Sequence, residues 1–400
     1  MAENFNAVVA GHICLDVFPG LDTLAAGQFN QMFRPGGLIT VGPALFSTGG
    51  PVSNTGLALF LLGVPTRLIA KVGADPFGGV VRDLVEKFDP DLAGGLVTDP
   101  AESTSYTVVI NPPGMDRFFF HCPGANDSFC ADDIDIELVK RASLFHFGYP
   151  PIMRRMYTAG GAELAEVLRR AKATGVTTSL DMAALDPTTE SGRVDWVTIL
   201  SAALPYVDVF MPSIEEILYA LRRDEFERLK CAAPDGNLLP LVTPELLADL
   251  SAQMIGMGVK VAGIKMGSRG LYLRTAGLDA LRTMGRAAPS DLAAWANQEI
   301  WSPCFQVRVV GTTGSGDATI AGFLSALLRD FSPCQAVTAA VAVGACNVEA
   351  ADALGGIRSW EETMRRIAAG WSRHPMTLEA PGWKENAEFG LWIGPAGQYN

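Results

Sequence analysis

The sequence predicts an α/β fold: a three-layer α/β/α sandwich with a mostly parallel central sheet and a small β lid. Three observations carry this. From residue 67 onward, short apolar or β-branched runs alternate with helical patterns, as in a parallel sheet covered on both faces. A glycine-rich strand-to-helix turn, Gly311-Thr312-Thr313-Gly314-Ser315-Gly316-Asp317, stands late in the chain. Two stretches rich in breakers, about 17–48 and 103–122, interrupt the rhythm and read as lid strands and loops.

Taken in order, Asn6 to Leu15 reads as a buried first strand ending at Asp16. Gly49-Gly50-Pro51 is a turn feeding a buried helix, with Pro51 suited to its first turn and Gly63 stopping it. Strand Arg67 to Val72 follows, then Gly73-Ala74-Asp75-Pro76-Phe77-Gly78, where Asp75 is the expected helix cap. Thr104 to Ile110 and Phe118 to His121 form a hairpin through Asn111-Pro112-Pro113-Gly114. Later strands are expected at Leu144 to Phe147, Thr177 to Asp181, Val207 to Met211, Val259 to Lys265 and Leu271 to Leu273. A β-branched run, Val307 to Val310, is expected to be the strand entering the late glycine turn. Residues 223–243 and 282–299 read as surface insertions. An apolar helix spans Val337 to Ala351, and after Ile367 the chain reads as an extension wrapping the core or a partner.

Composition narrows the function. The 400 residues carry 43 acidic against 31 basic side chains, a net charge of −12, which argues against nucleic acid or an anionic membrane as partner. No apolar run reaches the roughly 18 residues of a membrane span. The Met1–Phe5 segment lacks the basic-then-apolar layout of a signal peptide, so a cytoplasmic location is expected. Seven cysteines without C-x-x-C pairs fit reduced thiols better than a disulfide frame or zinc site.

The late turn is open to three readings. It could be a plain turn with an acidic helix start. It could be a dinucleotide fingerprint, although Thr319 stands where that motif wants its last glycine. It could serve phosphoryl transfer, but without a Walker loop, since no G-x-x-x-x-G-K-[ST] string occurs. In the last case unpaired amides at the helix start form an anion hole, with Asp317 a base beside it.

The Gly314-to-Asp317 string resembles the second signature of the ribokinase-like (phosphofructokinase B, PfkB) carbohydrate kinases, and the resemblance extends over roughly residues 6–370. It implies a ribokinase-like kinase domain over 1–370, with 371–400 as a C-terminal extension. Gly49, Gly50 and Asn54 resemble the first signature, which together with Asp16 would hold a sugar. Physically, a carboxylate accepts from adjacent hydroxyls, and glycines let a polyol lie against the backbone. Ser213-Ile214-Glu215-Glu216 resembles the family's N-x-x-E motif, implying Glu216 in the magnesium shell; a Ser followed by Glu at this spacing is equally a capping box. Lys265-Met266-Gly267-Ser268-Arg269-Gly270 resembles the nucleotide loop, implying Lys265, Gly267 and Gly270, with Thr313 and Asn347, as ATP contacts. Gly314, Ser315 and Gly316 would line the anion hole. Gly311 replaces the family's usual Asp at a monovalent-cation site, which leaves that cation's requirement open.

The resemblance implies an ATP- and Mg²⁺-dependent enzyme phosphorylating a hydroxymethyl group of a sugar or related polyol, with a possible homodimer through the lid. A nucleoside, sugar-acid or hydroxymethylpyrimidine kinase of similar fold, and a catalytically silent sugar or nucleotide sensor, stand as alternatives.

Overall fold

The computed structural model describes residues 6–21, 35–111, 118–233 and 235–398. Residues 22–34 of the expected lid excursion and the Pro112–Gly114 turn lie outside them. The strands in chain order are β1 Ala7–Gly11, β2 Cys14–Gly20, β3 Gly42–Gly49, β4 Thr66–Gly73, β5 Leu96–Asp99, β6 Tyr106–Ile110, β7 Phe118–Cys122 and β8 Leu144–Gly148. They continue with β9 Thr177–Leu180, β10 Val209–Phe210, β11 Val261–Lys265, β12 Leu271–Thr275, β13 Glu299–Ser302, β14 Lys384–Asn386 and β15 Leu391–Ile393. The main helices are α1 Pro51–Leu61, α2 Pro76–Glu86, α3 Ala162–Ala173, α4 Ile214–Leu221, α5 Arg223–Ala232, α6 Pro244–Gly256, α7 Ser315–Leu328, α8 Pro333–Asn347 and α9 Trp360–Ala368.

Eleven strands form the central sheet in the order β14-β15-β13-β12-β11-β10-β9-β8-β1-β4-β5. From β11 through β5 neighbouring strands are parallel, with Val8 of β1 beside Arg67 on one side and Phe145 on the other. The strands from β12 outward pair antiparallel. Alternation along β1 shows why the sheet needs two helical layers: Val8 and Ala10 enter one core, Ala7 and Val9 the other. The first core is closed by α3, α4 and α6 through Leu164, Ile217 and Leu247, the second by α1, α7 and α8 through Leu57, Phe323 and Val337. Each such fully buried side chain is worth roughly 2 kcal/mol. The shared second core matters most for function, because it packs α1 from the front of the chain against α7 from the rear.

Four strands, β3-β2-β6-β7, make the separate lid sheet. The expected first strand, Asn6 to Leu15, is therefore two. It breaks because the buried Asn126 side chain takes both backbone groups of Ile13, accepting from its N–H (3.2 Å) and donating to its C=O (2.8 Å). The chain then leaves the central sheet for the lid, and Asp16 lies within lid strand β2 instead of at the end of a core strand.

Other differences have local causes. Residues 223–243, expected as an irregular insertion, contain helix α5, whose Leu229 is buried in the first core. Residues 282–299 hide Trp295 beneath the second core and end at the start of β13. Val307 to Val310 is not a strand: Val309 and Val310 are 60% and 55% exposed. The place beside β13 is taken by β15 from the tail, so this run has no open ladder there. Among the described residues, no helix is long and apolar enough to cross a membrane.

Candidate active site

Asp317 lies in the first turn of α7, whose N-cap is Gly314, and its side chain is buried. Three donors hold it. Asn54 Nδ2 (3.1 Å) and the Tyr149 hydroxyl (2.9 Å) donate to Oδ2, and Thr55 Oγ1 donates to Oδ1 (3.2 Å). Asn54 and Thr55 sit where the first turn of α1 passes into the second, and Tyr149 directly follows β8. Burial raises the Asp317 carboxyl above its usual range, opposed by Lys265 and by the three donors. A raised carboxyl suits a proton acceptor at neutral pH.

On one side of Asp317 stands an ion pair. Lys265, the last residue of β11, donates to Asp181 Oδ1 at 2.7 Å just beyond β9. Burial pushes Asp181 up to about 7; Lys265 opposes the rise, while Glu216 and Asp317 add to it. Burial alone would lower the Lys265 ammonium, but Asp181, Glu216 and Asp317 raise it overall, so the lysine is charged. A Cβ built on Gly316 would stand 3.3 Å from Lys265 Nζ, which places the ammonium at the mouth of the α7 turn. Ser213 and Glu216 form a full capping box: the Ser213 N–H donates to Glu216 Oε2 (2.7 Å) and the Glu216 N–H to Ser213 Oγ (3.3 Å).

On the other side lie the front residues. Gly50 has φ of +87°, and a Cβ there would come within 2.5 Å of His12 Nδ1. A Cβ on Gly49 would come within 2.3 Å of Asp16 Oδ2. The glycine pair is thus required by close approach to two polar side chains, as well as by the turn. Asp16 accepts from Cys14 Sγ (3.3 Å), and burial pushes its carboxyl up to about 6 against the hydrogen bonds of Cys14 and Thr107. Asp16, Gly49, Gly50, Asn54 and Asp317 therefore form one connected series of neighbours, reaching from the lid to the α7 helix start. Both His12 ring nitrogens are buried without a partner in this series, and the ring lies 5.5 Å from that of His121 on lid strand β7.

Beyond Lys265 and Gly316 opens a mostly apolar cavity of about 230 Å³ lined by Gly267, Gly270, Val307, Thr312, Ser315 and Val341 among others. The structure places the remaining expected residues unevenly around it. Asn347 is fully buried and donates to Ala353 C=O (2.6 Å), while its helix neighbours Gly344, Ala345 and Val348 line the cavity. Thr312, in place of Thr313, reaches the wall. The Ser315 N–H is engaged by Thr312 C=O at 3.2 Å. At Gly311 a Cβ would stand 2.9 Å from the carbonyl oxygens of both Ala350 and Ala351, so this backbone has no room for an aspartate. Three residues escaped the sequence reading: Tyr149, Thr55 and Asp181. The available signal for two of them was position, since Tyr149 and Asp181 immediately follow parallel strands, where ligand sites of open α/β sheets gather.

The chain resembles known proteins in sequence and in fold. Residues 27–359 match the pfkB family carbohydrate kinase. A fructokinase-1 of Zea mays is 25% identical over 296 residues, covering 73% of this chain and 77% of its own. An ATP-dependent ribose-1-phosphate kinase of Halopiger xanaduensis is 26% identical over 336 residues, covering 84% and 89%. Among solved structures, the Arabidopsis thaliana ribokinase complexed with ribose and ATP superposes with a TM-score of 0.66 at 19% identity, covering 91% of this chain and 98% of its own. The Xylella fastidiosa fructokinase with bound ATP gives 0.64 at 20% identity, with the same coverage. The fold is therefore the ribokinase fold, and the chain belongs to the PfkB family of carbohydrate kinases as a sugar kinase.

Proposed function

We propose that the protein transfers the γ-phosphoryl group of ATP to a hydroxymethyl group of a neutral sugar or related polyol. The observation that carries this is the buried Asp317, tied to Asn54 and Thr55 of the Gly-Gly helix and flanked by the Lys265 ammonium. In this reading Asp16, Gly49, Gly50 and Asn54 place the sugar. As the sugar oxygen bonds to the γ-phosphorus, the bond from phosphorus to the bridging oxygen of ADP breaks, and the hydroxyl proton passes to Asp317. Amides of Gly314 and Gly316 with the α7 helix end, together with Lys265, face the charge spreading over the transferred group, where positioning and electrostatics supply most of the catalysis. Gly267 and Gly270 let the nucleotide lie along the cavity wall.

Among the described residues, no group of three or more His, Cys, Asp or Glu is placed to hold a metal ion unaided. That fits magnesium, which keeps waters and is bound largely through substrate phosphates. Asp181 Oδ2 is buried without a partner and the Asp181 carboxyl feels the Glu216 charge, so Glu216 and Asp181 are the residues that would hold the magnesium. When bound, magnesium would neutralise phosphate charge. Gly311 itself offers no carboxylate, and a monovalent-cation requirement is not part of the proposal.

The bonds to Asp16 come from the neutral groups of Cys14 and Thr107, which favours an uncharged polyol over a sugar acid or sugar phosphate. The test is ADP release across a panel of sugars, sugar acids and nucleosides, with fructose and ribose first because relatives are named for acting on fructose or ribose derivatives. Sugar-dependent ADP release is expected; nucleotide binding with no turnover on any member would favour a silent sensor.

Asp16 supplies a pH prediction. Its folded-state pKa is raised to about 6 from 3.8. Between those values the folded chain binds more protons than the unfolded one, so this group's contribution to stability falls as pH rises through the window. Sugar binding needs the ionised acceptor and runs the other way. Sugar affinity is expected to weaken below pH about 6, and Asp16→Asn to bind weakly with little pH dependence; calorimetric titrations showing constant wild-type affinity from pH 5 to 8 would refute it.

One face of the lid carries a cross-strand row ending in two exposed rings, Phe46 on β3 (51%) and Phe120 on β7 (60%), joined through Val17 and Val108. This supports pairing of two lids in a homodimer, because an apolar row of this kind is a common mark of an interface. Light scattering is expected to give twice the chain mass, and Phe120→Glu to shift it to one; a monomeric wild type would dispose of the idea.

A further inference from the structure

The family match ends at residue 359, yet the chain continues, and that continuation reaches the nucleotide cavity. After α9 the segment Trp371–His374 runs alongside residues 302–306. The Gln306 N–H donates to Ser372 C=O (2.8 Å), the His374 N–H to Cys304 C=O (2.8 Å), and the Trp371 indole N–H to Gln306 C=O (2.9 Å). Side chains lock the same strip. Phe305 and Trp371 stack with ring centroids 4.4 Å apart. The Arg373 guanidinium covers Phe305 at 4.1 Å and donates to Ser302 Oγ and Pro303 C=O, both at 2.8 Å, and to Thr338 Oγ1 of α8 at 3.1 Å. Arg366 of α9 lies over Trp371 at 3.6 Å and pairs with Glu349 at 2.7 Å. The strip is thus fixed to β13's exit and to α8, two of the segments that wall the cavity.

Its last residue, His374, is exposed to solvent and lines that cavity together with Gly344, Ala345 and Val348. Every other lining residue comes from within the matched part of the chain. Other walls are apolar (Val307, Val309, Val341), and an imidazole at the rim offers a flat face and a polar tip. We infer that His374, held by the Trp371–Arg373 strip, is the outer wall against which the nucleotide base packs, so that the C-terminal tail sets nucleotide affinity. This rests on the kinase reading, which makes the cavity a nucleotide pocket.

The experiment is calorimetric titration of the full chain with ADP, alongside steady-state kinetics with ATP varied at saturating sugar. His374→Ala should weaken ADP binding and raise the KM for ATP by about five- to tenfold, the range an aromatic contact commonly carries. The kcat and the sugar KM should hold. His374→Phe should restore most of the affinity, since the flat face is kept; a purely structural role would leave all three proteins alike in ADP affinity. Circular dichroism melts verify that the variants are folded. Wild-type binding with an unchanged His374→Ala would overturn the inference alone. Failure of the wild type to bind ADP would instead remove the kinase reading, and this inference with it.

Discussion

Asp317→Asn should lower kcat by two orders of magnitude or more while ADP and sugar still bind. The substitution keeps the side chain's size in a buried site and changes only its ability to take a proton. Its effect on the fold is expected to be small, and the reason lies in the three donors. The carboxamide oxygen can occupy the position that accepts from Asn54 Nδ2 and the Tyr149 hydroxyl. Its NH₂ then faces Thr55 Oγ1, which can turn its own proton away and accept, since a hydroxyl serves in either role. All three bonds become neutral, a loss offset in part because the buried charge goes with them, leaving about 1–2 kcal/mol in stability. The catalytic loss is larger, because positioned proton acceptors contribute about 10²–10⁴-fold. Measuring kcat beside the melting temperature separates the two. Turnover within a few-fold of wild type would show that Asp317 is not the base, whatever the fold does.

The contacts of Asp317 also show what a sequence can disclose and what it withholds. The Gly49-Gly50-Pro51 turn and the Gly314–Asp317 turn were readable because each carries its own local cause: glycines for close approach, a helix start for the amides. The α/β/α layering was readable because strands buried on both faces are apolar at successive positions, as in Ala7 to Ala10. The Lys265–Asp181 pair was not readable, since 84 residues separate the two and they meet only because β9, β10 and β11 lie side by side. Tyr149 is a single aromatic after a strand, with no motif around it. The Val307 to Val310 run misled for a related reason. Its β-branched composition is that of a strand, but pairing depends on a vacant edge, and the tail's β15 had taken the place beside β13. Local chemistry was legible where one segment contained both the cause and the effect; where a partner came from a distant strand, only the sheet order supplied it.

That distant partnership carries the second large effect. Lys265→Met removes an ammonium of which Asp181 is the hydrogen-bonded partner, and it leaves a fully buried carboxylate with one oxygen already unpartnered. Breaking a buried pair by deleting one member commonly costs about 3–5 kcal/mol. Here the loss should fall at the low end, because Asp181 already sits up at about 7 and, with Lys265 no longer opposing the rise, can take up a proton. The sign follows: from pH about 4 upward the folded carboxyl holds a proton that the unfolded chain has lost, so its contribution falls as pH rises; in wild type that fall ends near 7, whereas in the variant it continues above 7. Activity should fall at least a hundredfold, since a neutral thioether cannot face the charge on the transferred phosphoryl group near Gly316. Adding Asp181→Asn removes the stranded charge and should recover most of the lost stability, while activity stays low. Thermal melts at pH 6 and pH 8 and assays of the single and double variants decide it. If the double variant regains both stability and turnover, the pair is a structural strut with no part in phosphoryl transfer. If Lys265→Met alone is as stable as wild type at both pH values, the ion pair does not hold the three strand ends together, and the charged lysine at the mouth of the α7 turn must be placed by something else.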